Sequence, residues 1–98
     1  MKEVLMNLQQ VRERRREIER LASQHGALNL RIFGSVARGD DGPKSDLDVL
    51  VRFEKGRSLL DLVGVQQDLE ELLGCKVDVV SEGALGTDSE IFREAVPL

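Results

Sequence analysis

Aromatic side chains and cysteine are scarce in this chain of 98 residues, and its 14 basic residues are outnumbered by 18 acidic ones. It has three phenylalanines and neither tryptophan nor tyrosine, so it lacks the stacking surface on which single-stranded nucleic acids are usually bound. The net charge of −4 also disfavours generic nucleic-acid binding, which needs a basic surface. The single cysteine excludes an intramolecular disulfide and is typical of a cytoplasmic protein.

Long apolar runs are missing as well. No segment approaches the roughly 20 residues that a membrane span requires, and the first residues, MKEVLMNLQQ, lack the apolar core of a secretory signal. We therefore expect a cytoplasmic protein that does not bind membranes. The hydrophobic fraction of 41% is enough for one modest core, and the length predicts a single domain over residues 1–98.

Hydrophobic periodicity predicts helices and strands in alternation. The predicted elements are a helix over about 3–24, a strand over 28–33, a short helix over 35–38, a strand over 46–53, a helix over 58–73, a strand over 76–80 and a last helix from Thr87 to a stop at Pro97. This order predicts an α+β fold, a small sheet with helices packed mainly on one face.

The two long predicted helices, over about 3–24 and 58–73, contain or adjoin residues whose roles need interpretation. Arg15 falls on the apolar stripe of the first helix, either as a side chain whose stem packs while its head stays in water or as a partner contact. The arginines and glutamates over 12–20 form either a solvated face or a docking site for an acidic partner. His25 is expected to complement the dipole of the helix end. Gly64 weakens its helix, which suggests that another element packs close to it.

The chemistry of the chain is concentrated between residues 31 and 53. Asp46 and Asp48 stand two apart on a predicted strand and therefore point to the same face. Two such carboxylates repel each other unless a cation lies between them. Just upstream, Gly34 and Ser35 end a strand and begin a helix, which presents backbone N–H groups suited to phosphate. A carboxylate pair beside a phosphate-binding turn indicates metal-assisted phosphoryl or nucleotidyl transfer.

Three further residues extend this candidate site. Asp78 joins the two aspartates if the third strand lies alongside the second. Mg²⁺ prefers such oxygen ligands and usually shares them with substrate phosphates. Arg38 and Lys44 are candidates to neutralise the remaining phosphate charge.

The spacing of these residues resembles a known pattern. Gly34-Ser35, ten further residues and Asp46-Leu47-Asp48 resemble the motif of the DNA polymerase β-like nucleotidyltransferase superfamily. The segments RIFGSVARGD, SDLDVLVRF, SLLDLVGVQQDLEELLG, KVDVV and FREAVPL are similar to the minimal nucleotidyltransferase family, small prokaryotic domains that act as antitoxins to a HEPN-domain partner.

The resemblance implies a polymerase-β-like palm with a mixed sheet and an Mg²⁺-dependent nucleotidyltransferase. It implies that Asp46, Asp48 and Asp78 hold Mg²⁺, two ions when substrate is bound, and that Gly34 and Ser35 bind the triphosphate of ATP. The implied reaction transfers AMP to a hydroxyl of a HEPN toxin, with Asp78 orienting or deprotonating that hydroxyl. The segment SEGALGTDSE departs from the family pattern, since it is acidic where relatives tend to be basic.

Other functions remain open at this point. A non-catalytic antitoxin would neutralise its partner by binding and occlusion, although it would have no reason to keep a repulsive cluster of acids. Transfer to a small molecule would need an additional wall to enclose the acceptor. Polymerase activity would need a basic groove and further domains.

Overall fold

The computed structural model describes residues 7–39, 46–86 and 88–98. In chain order it contains α1 (Leu8–Glu13), α2 (Arg15–Gln24), β1 (Ala27–Phe33), α3 (Gly34–Arg38), β2 (Leu47–Phe53), α4 (Leu59–Leu73), β3 (Val77–Ser81), a 3₁₀ turn (Glu82–Ala84), α5 (Glu90–Glu94) and β4 (Val96–Pro97). The strands form one sheet in the order β3-β2-β1-β4. β1 runs antiparallel to β2 and β4, while β2 and β3 are parallel. The predicted α+β fold with a small mixed sheet is confirmed.

The main core lies between one face of the sheet and helices α1, α2 and α4. Alternate residues of β2 point into this core, which leaves Asp48 and Leu50 on the opposite face. The buried side chains of this core are Val11, Ile18, Ala22, Ala27, Leu30, Ile32, Val36, Leu47, Val49, Val51, Val65, Leu69, Leu73, Val77, Val79 and Leu98. In the part of the chain that the structure describes, no helix has the length and hydropathy needed to cross a bilayer.

Helix α4 begins and ends where its sequence predicts. The Ser58 hydroxyl accepts from the Leu60 N–H at 3.2 Å, and the Asp61 carboxylate accepts from the Ser58 N–H at 2.9 Å, which is a capping box. Gly74 ends the helix in the left-handed conformation with φ 69°. The helix forms the crossover that allows β2 and β3 to run parallel.

The C-terminal elements cover part of the opposite face of the sheet. Arg31 is the register partner of Leu50 on that face, and its guanidinium carbon lies 5.8 Å from the centre of the Phe92 ring in α5. The same guanidinium forms an ion pair with Glu82 of the 3₁₀ turn. One carboxylate of the acidic segment after β3 is therefore paired with a cation of the sheet.

The prediction of one continuous first helix is wrong, because the structure has two helices, α1 and α2. A turn at Arg14 separates α1 from α2, and residues 1–6 lie outside the described part of the chain. The Arg14 guanidinium donates to the Leu72 carbonyl at 2.9 Å and pairs with Glu17. Arg15, which was expected on the core stripe, is exposed, while Arg14 is half-buried. Periodicity missed the break because the contact that accompanies it comes from α4.

The strand predicted over 28–33 begins one residue earlier, at Ala27, and is irregular near its start. Leu28 pairs with Arg52, whereas Arg31 pairs with Leu50, so β1 contains one extra residue, a β-bulge. Asn29 takes φ 54° in this irregularity, a conformation that asparagine tolerates. The bulge turns Leu28 outward, where it is 38% exposed, and buries Ala27 in its place.

The predicted last helix is too long at its C-terminal end. It ends at Glu94, and Val96–Pro97 forms β4 against Arg31 and Ile32 of β1. A residue before proline disfavours helical geometry, and the open edge of β1 supplies backbone partners for an extended chain. Thr87, where the helix is predicted to begin, lies outside the described residues. The observed cap is Ser89, whose hydroxyl accepts from the Ile91 N–H at 3.2 Å.

Gly64 provides space for a histidine, as its unfavourable place in a helix suggested. A Cβ built on Gly64 would lie 2.5 Å from Cε1 of His25. The His25 ring is held there by a contact of 2.8 Å between its Nε2 and Oδ2 of Asp68. The histidine expected to act on its own helix end therefore joins α2 to α4.

We predict that Gly64→Ala destabilises the fold by about 1–3 kcal/mol, the usual cost of overpacking, because the new methyl group meets the His25 ring. The same substitution in a His25→Ala background is expected to stabilise the fold by about 0.5–1 kcal/mol, since alanine is the better helix former. Urea unfolding of the four proteins measures this coupling. The packing is contradicted if Gly64→Ala has the same effect in both backgrounds.

Candidate active site

The parallel pairing of β2 and β3 brings two aspartates together. Asp48 and Asp78 are direct register partners on these adjacent strands, so their side chains project from the same face of the sheet. Asp48 is half-buried, and Asp78 is exposed on β3 at the end of the strand order. Asp78 was expected to join the two aspartates if its strand lies alongside the second strand, and β3 does pair with β2.

Asp46 immediately precedes β2 and adds a third negative charge. Burial raises the pKa of Asp48, and the carboxylates of Asp78, Asp46 and Glu94 raise it further. The nearby Arg38 guanidinium acts in the opposite direction. Ionised Asp48 is thus held in an environment that favours its neutral form, and a cation bound nearby would relieve that cost.

Gly34 is required here for two separate reasons. It has φ 75°, a conformation that favours glycine, and a Cβ at this position would collide with the Asp48 carboxylate. The close approach follows from the sheet register, because the preceding Phe33 is the partner of Asp48. The turn predicted to bind phosphate therefore lies directly beside the predicted metal ligands.

Glu94 belongs to this site, although it was absent from the sequence prediction. Its Oε1 accepts a hydrogen bond from the Gly34 N–H at 2.5 Å and another from Nη1 of Arg38 at 2.8 Å. The motif FREAVPL contains Glu94, but a single acidic residue in a short helix gives no local signal of a distant contact. It approaches Gly34 because β4, which follows it, pairs with β1.

The other predicted phosphate ligands have different positions. Ser35 lies in the first turn of α3 and is half-buried, next to Gly34. Arg38 lies in the last turn of α3 and reaches the site through Glu94. Lys44 lies outside the described residues, so its predicted role stays a prediction.

The donor set fits a hard divalent cation. Within residues 7–39, 46–86 and 88–98, no three His, Cys, Asp or Glu side chains form a ready-made metal-binding group. The side chains of Asp46, Asp48 and Asp78 nevertheless offer only oxygen donors. The charges of Asp46 and Asp78 also raise the free-energy cost of ionising Asp48. Mg²⁺ commonly takes one or two carboxylates and completes its coordination with water and substrate phosphates.

Comparison with known proteins identifies the class of protein that this fold and site define. The model of the family described as "Nucleotidyltransferase domain" matches residues 11–96, so the chain belongs to the nucleotidyltransferase domain family. A relative from Methanocaldococcus jannaschii, provisionally named protein adenylyltransferase MJ0435, is 43% identical over 88 residues, which cover 88% of this chain and 95% of the relative. Protein adenylyltransferase MntA of Thermococcus cleftensis is 38% identical over 78 residues, 78% of this chain and 79% of its own.

Solved structures agree with this assignment. A structure provisionally described as a minimal nucleotidyltransferase has a TM-score of 0.83 and 48% identity, covering 95% of this chain and 97% of the other. A chain in the complex of tri-AMPylated Shewanella oneidensis HEPN toxin with MNT antitoxin has a TM-score of 0.65 at 17% identity, covering 88% and 69%; it shows the shared fold alone. The expected resemblance to the minimal nucleotidyltransferases and the expected enzyme class, a nucleotidyltransferase, are both confirmed.

We predict that Asp48→Asn unfolds at a higher temperature than the wild type at pH 7 in the presence of EDTA. The fold raises the pKa of Asp48, so the folded state favours the protonated carboxyl. The contribution of this group to the free energy of unfolding is therefore greatest below the ordinary carboxyl pKa. It is lost as the pH rises through the pKa of the folded state. The advantage of the variant should therefore be largest at neutral pH and shrink on acidification.

Thermal unfolding followed by circular dichroism across this pH range measures the effect. Glu19→Gln is the matched control, since it removes the same charge from an exposed position of α2. A melting temperature of Asp48→Asn at or below that of the wild type at neutral pH would contradict the repulsion.

Proposed function

We propose that this enzyme transfers AMP from ATP to a hydroxyl side chain of a HEPN-type toxin and thereby acts as its antitoxin. The observation that carries the proposal is the alignment of Asp48 with Asp78 beside the Gly34 amide. The names of the two curated relatives, both protein adenylyltransferases, support AMP as the transferred group. The fold shared with the HEPN–MNT complex supports the class of partner.

In this proposal Asp46, Asp48 and Asp78 hold Mg²⁺. When bound, Mg²⁺ would polarise the reacting phosphate and offset the charge of the leaving group. The backbone N–H groups that follow Phe33 and the Ser35 hydroxyl bind the triphosphate, with Arg38 neutralising part of its charge.

The acceptor hydroxyl attacks the α-phosphorus of ATP. A bond forms between the acceptor oxygen and that phosphorus, the bond from it to the bridging oxygen breaks, and pyrophosphate leaves. Asp78 orients the hydroxyl and accepts its proton. Asp78 suits this role because it is exposed, whereas Asp48 is half-buried against Gly34.

The openness of the site favours a macromolecular acceptor. Asp46 and Asp78 are both exposed, so an incoming protein surface can reach them. A small-molecule acceptor would instead be enclosed largely by the enzyme itself.

We predict that Asp78→Asn lowers the rate of AMP transfer to the cognate toxin by about a hundredfold or more, the usual contribution of a positioned acid or base. The assay mixes the enzyme, Mg²⁺, ATP labelled in its α-phosphate and the purified toxin, and follows label on the toxin. Asp88→Asn is the matched control, because Asp88 is also exposed but precedes α5. Both variants should still bind the toxin in a pull-down.

Co-expression with the toxin separates transfer from occlusion. The proposal expects Asp48→Asn and Asp78→Asn to lose protection of the host cells. Full protection by both variants would show that binding alone silences the toxin, and the absence of label on the toxin with wild-type enzyme would refute adenylylation.

A further inference from the structure

The Glu94 carboxylate occupies an anion-binding position made by another part of the chain. One oxygen, Oε1, accepts a hydrogen bond from the Gly34 N–H at 2.5 Å and another from the Arg38 guanidinium at 2.8 Å. The Glu94 side chain is 28% exposed, and that of Arg38 is 52% exposed. A backbone N–H and a guanidinium converging on one oxygen are the donors that bind phosphate oxygens in proteins.

The position of Glu94 is electrostatically unfavourable for the neighbouring acids. Its charge acts on Asp48 in the same direction as those of Asp46 and Asp78. A fourth carboxylate therefore adds to the repulsion in a site that already holds three. Its two hydrogen bonds offset this cost.

Helix α5 is also anchored by contacts other than those of Glu94. Ser89 caps the N-terminus of α5, and Phe92 packs over the Arg31 guanidinium. After the helix, Val96 pairs with Ile32, and the Leu98 N–H donates to the Leu30 carbonyl at 3.2 Å. The helix is thus fixed at both ends by contacts other than those of Glu94.

We propose that Glu94 is a built-in competitor of the nucleotide, which holds the Gly34 amide and Arg38 until the triphosphate displaces it. This inference rests on the proposed function, because it requires the triphosphate to use the same donors. Glu94 then sets the affinity for nucleotide and keeps the phosphate position filled by an anion between turnovers.

The test compares Glu94→Gln with wild type by calorimetric titration of two probes, AMP-PNP and inorganic tripolyphosphate, each with Mg²⁺. A neutral amide oxygen accepts a hydrogen bond about half as strong as a carboxylate does, so it competes less well. We expect both probes to bind Glu94→Gln about tenfold more tightly than they bind the wild type, which corresponds to about 1.4 kcal/mol. Glu90→Gln, with the same charge change on an exposed position of α5, should bind both probes as the wild type does.

A second measurement reports the contact itself. In ¹⁵N-labelled protein without nucleotide, Glu94→Gln should shift the Gly34 amide resonance, and Glu90→Gln should leave it in place. Saturating AMP-PNP should bring the Gly34 resonances of wild type and Glu94→Gln together, because the same ligand then occupies the amide in both.

The outcomes separate the two proposals. Equal or weaker binding of both probes to Glu94→Gln, with AMP-PNP still bound by the wild type, overturns the competitor role and leaves the proposed function standing. A Gly34 resonance unaffected by Glu94→Gln overturns it as well. No binding of AMP-PNP to any of the three proteins would refute the proposed function and the inference together.

Discussion

The sheet holds the carboxylates of the candidate site close together, and their mutual repulsion is the main physical constraint on this site. The backbone pairing of β2 with β3 places Asp48 opposite Asp78, and the chain direction of β2 places Asp46 next to them. No rearrangement of rotamers alone can remove the acids from one another's field, because the sheet fixes their starting points. The fold therefore keeps an unfavourable charge cluster, which the Mg²⁺ of the proposed function would offset when bound; such preorganisation suits phosphoryl-group chemistry.

The surrounding elements hold this cluster against the turn at Gly34, which is proposed to bind phosphate. Helix α4 makes the parallel pairing possible, and its apolar stripe anchors the sheet from the other face. The absence of a side chain on Gly34 allows the turn to touch the Asp48 carboxylate. On the face of the sheet opposite the main core, Arg31 contacts Glu82 of the 3₁₀ turn and Phe92 of α5. These contacts hold α5 near the site, and Glu94, the last residue of α5, contacts Gly34.

The sequence predicted the features that depend on local pattern. Alternation over residues 46–53 predicted the strand that contains Asp48, and the helix predicted from Ser58 begins at the observed Ser58–Asp61 capping box. Several features that depend on contacts between distant elements were missed. The break at Arg14 accompanies a hydrogen bond to the Leu72 carbonyl, and β4 forms because β1 offers a free edge. Glu94 could not be recognised for the same reason, since 60 residues separate it from Gly34. An extra residue in β1 likewise changes a face without changing the local pattern.

Paramagnetic broadening by Mn²⁺, an ion with ligand preferences close to those of Mg²⁺, tests most directly whether these acids form one cation site. Substoichiometric Mn²⁺ is added to ¹⁵N-labelled protein, and the loss of each amide signal is followed. The first signals lost should be those of Gly34, of residues 46–48 and of Asp78, all together, and excess Mg²⁺ should restore them. Broadening that begins at another acidic region, or that reaches β2 while sparing Asp78 and Gly34, would contradict a shared cation site.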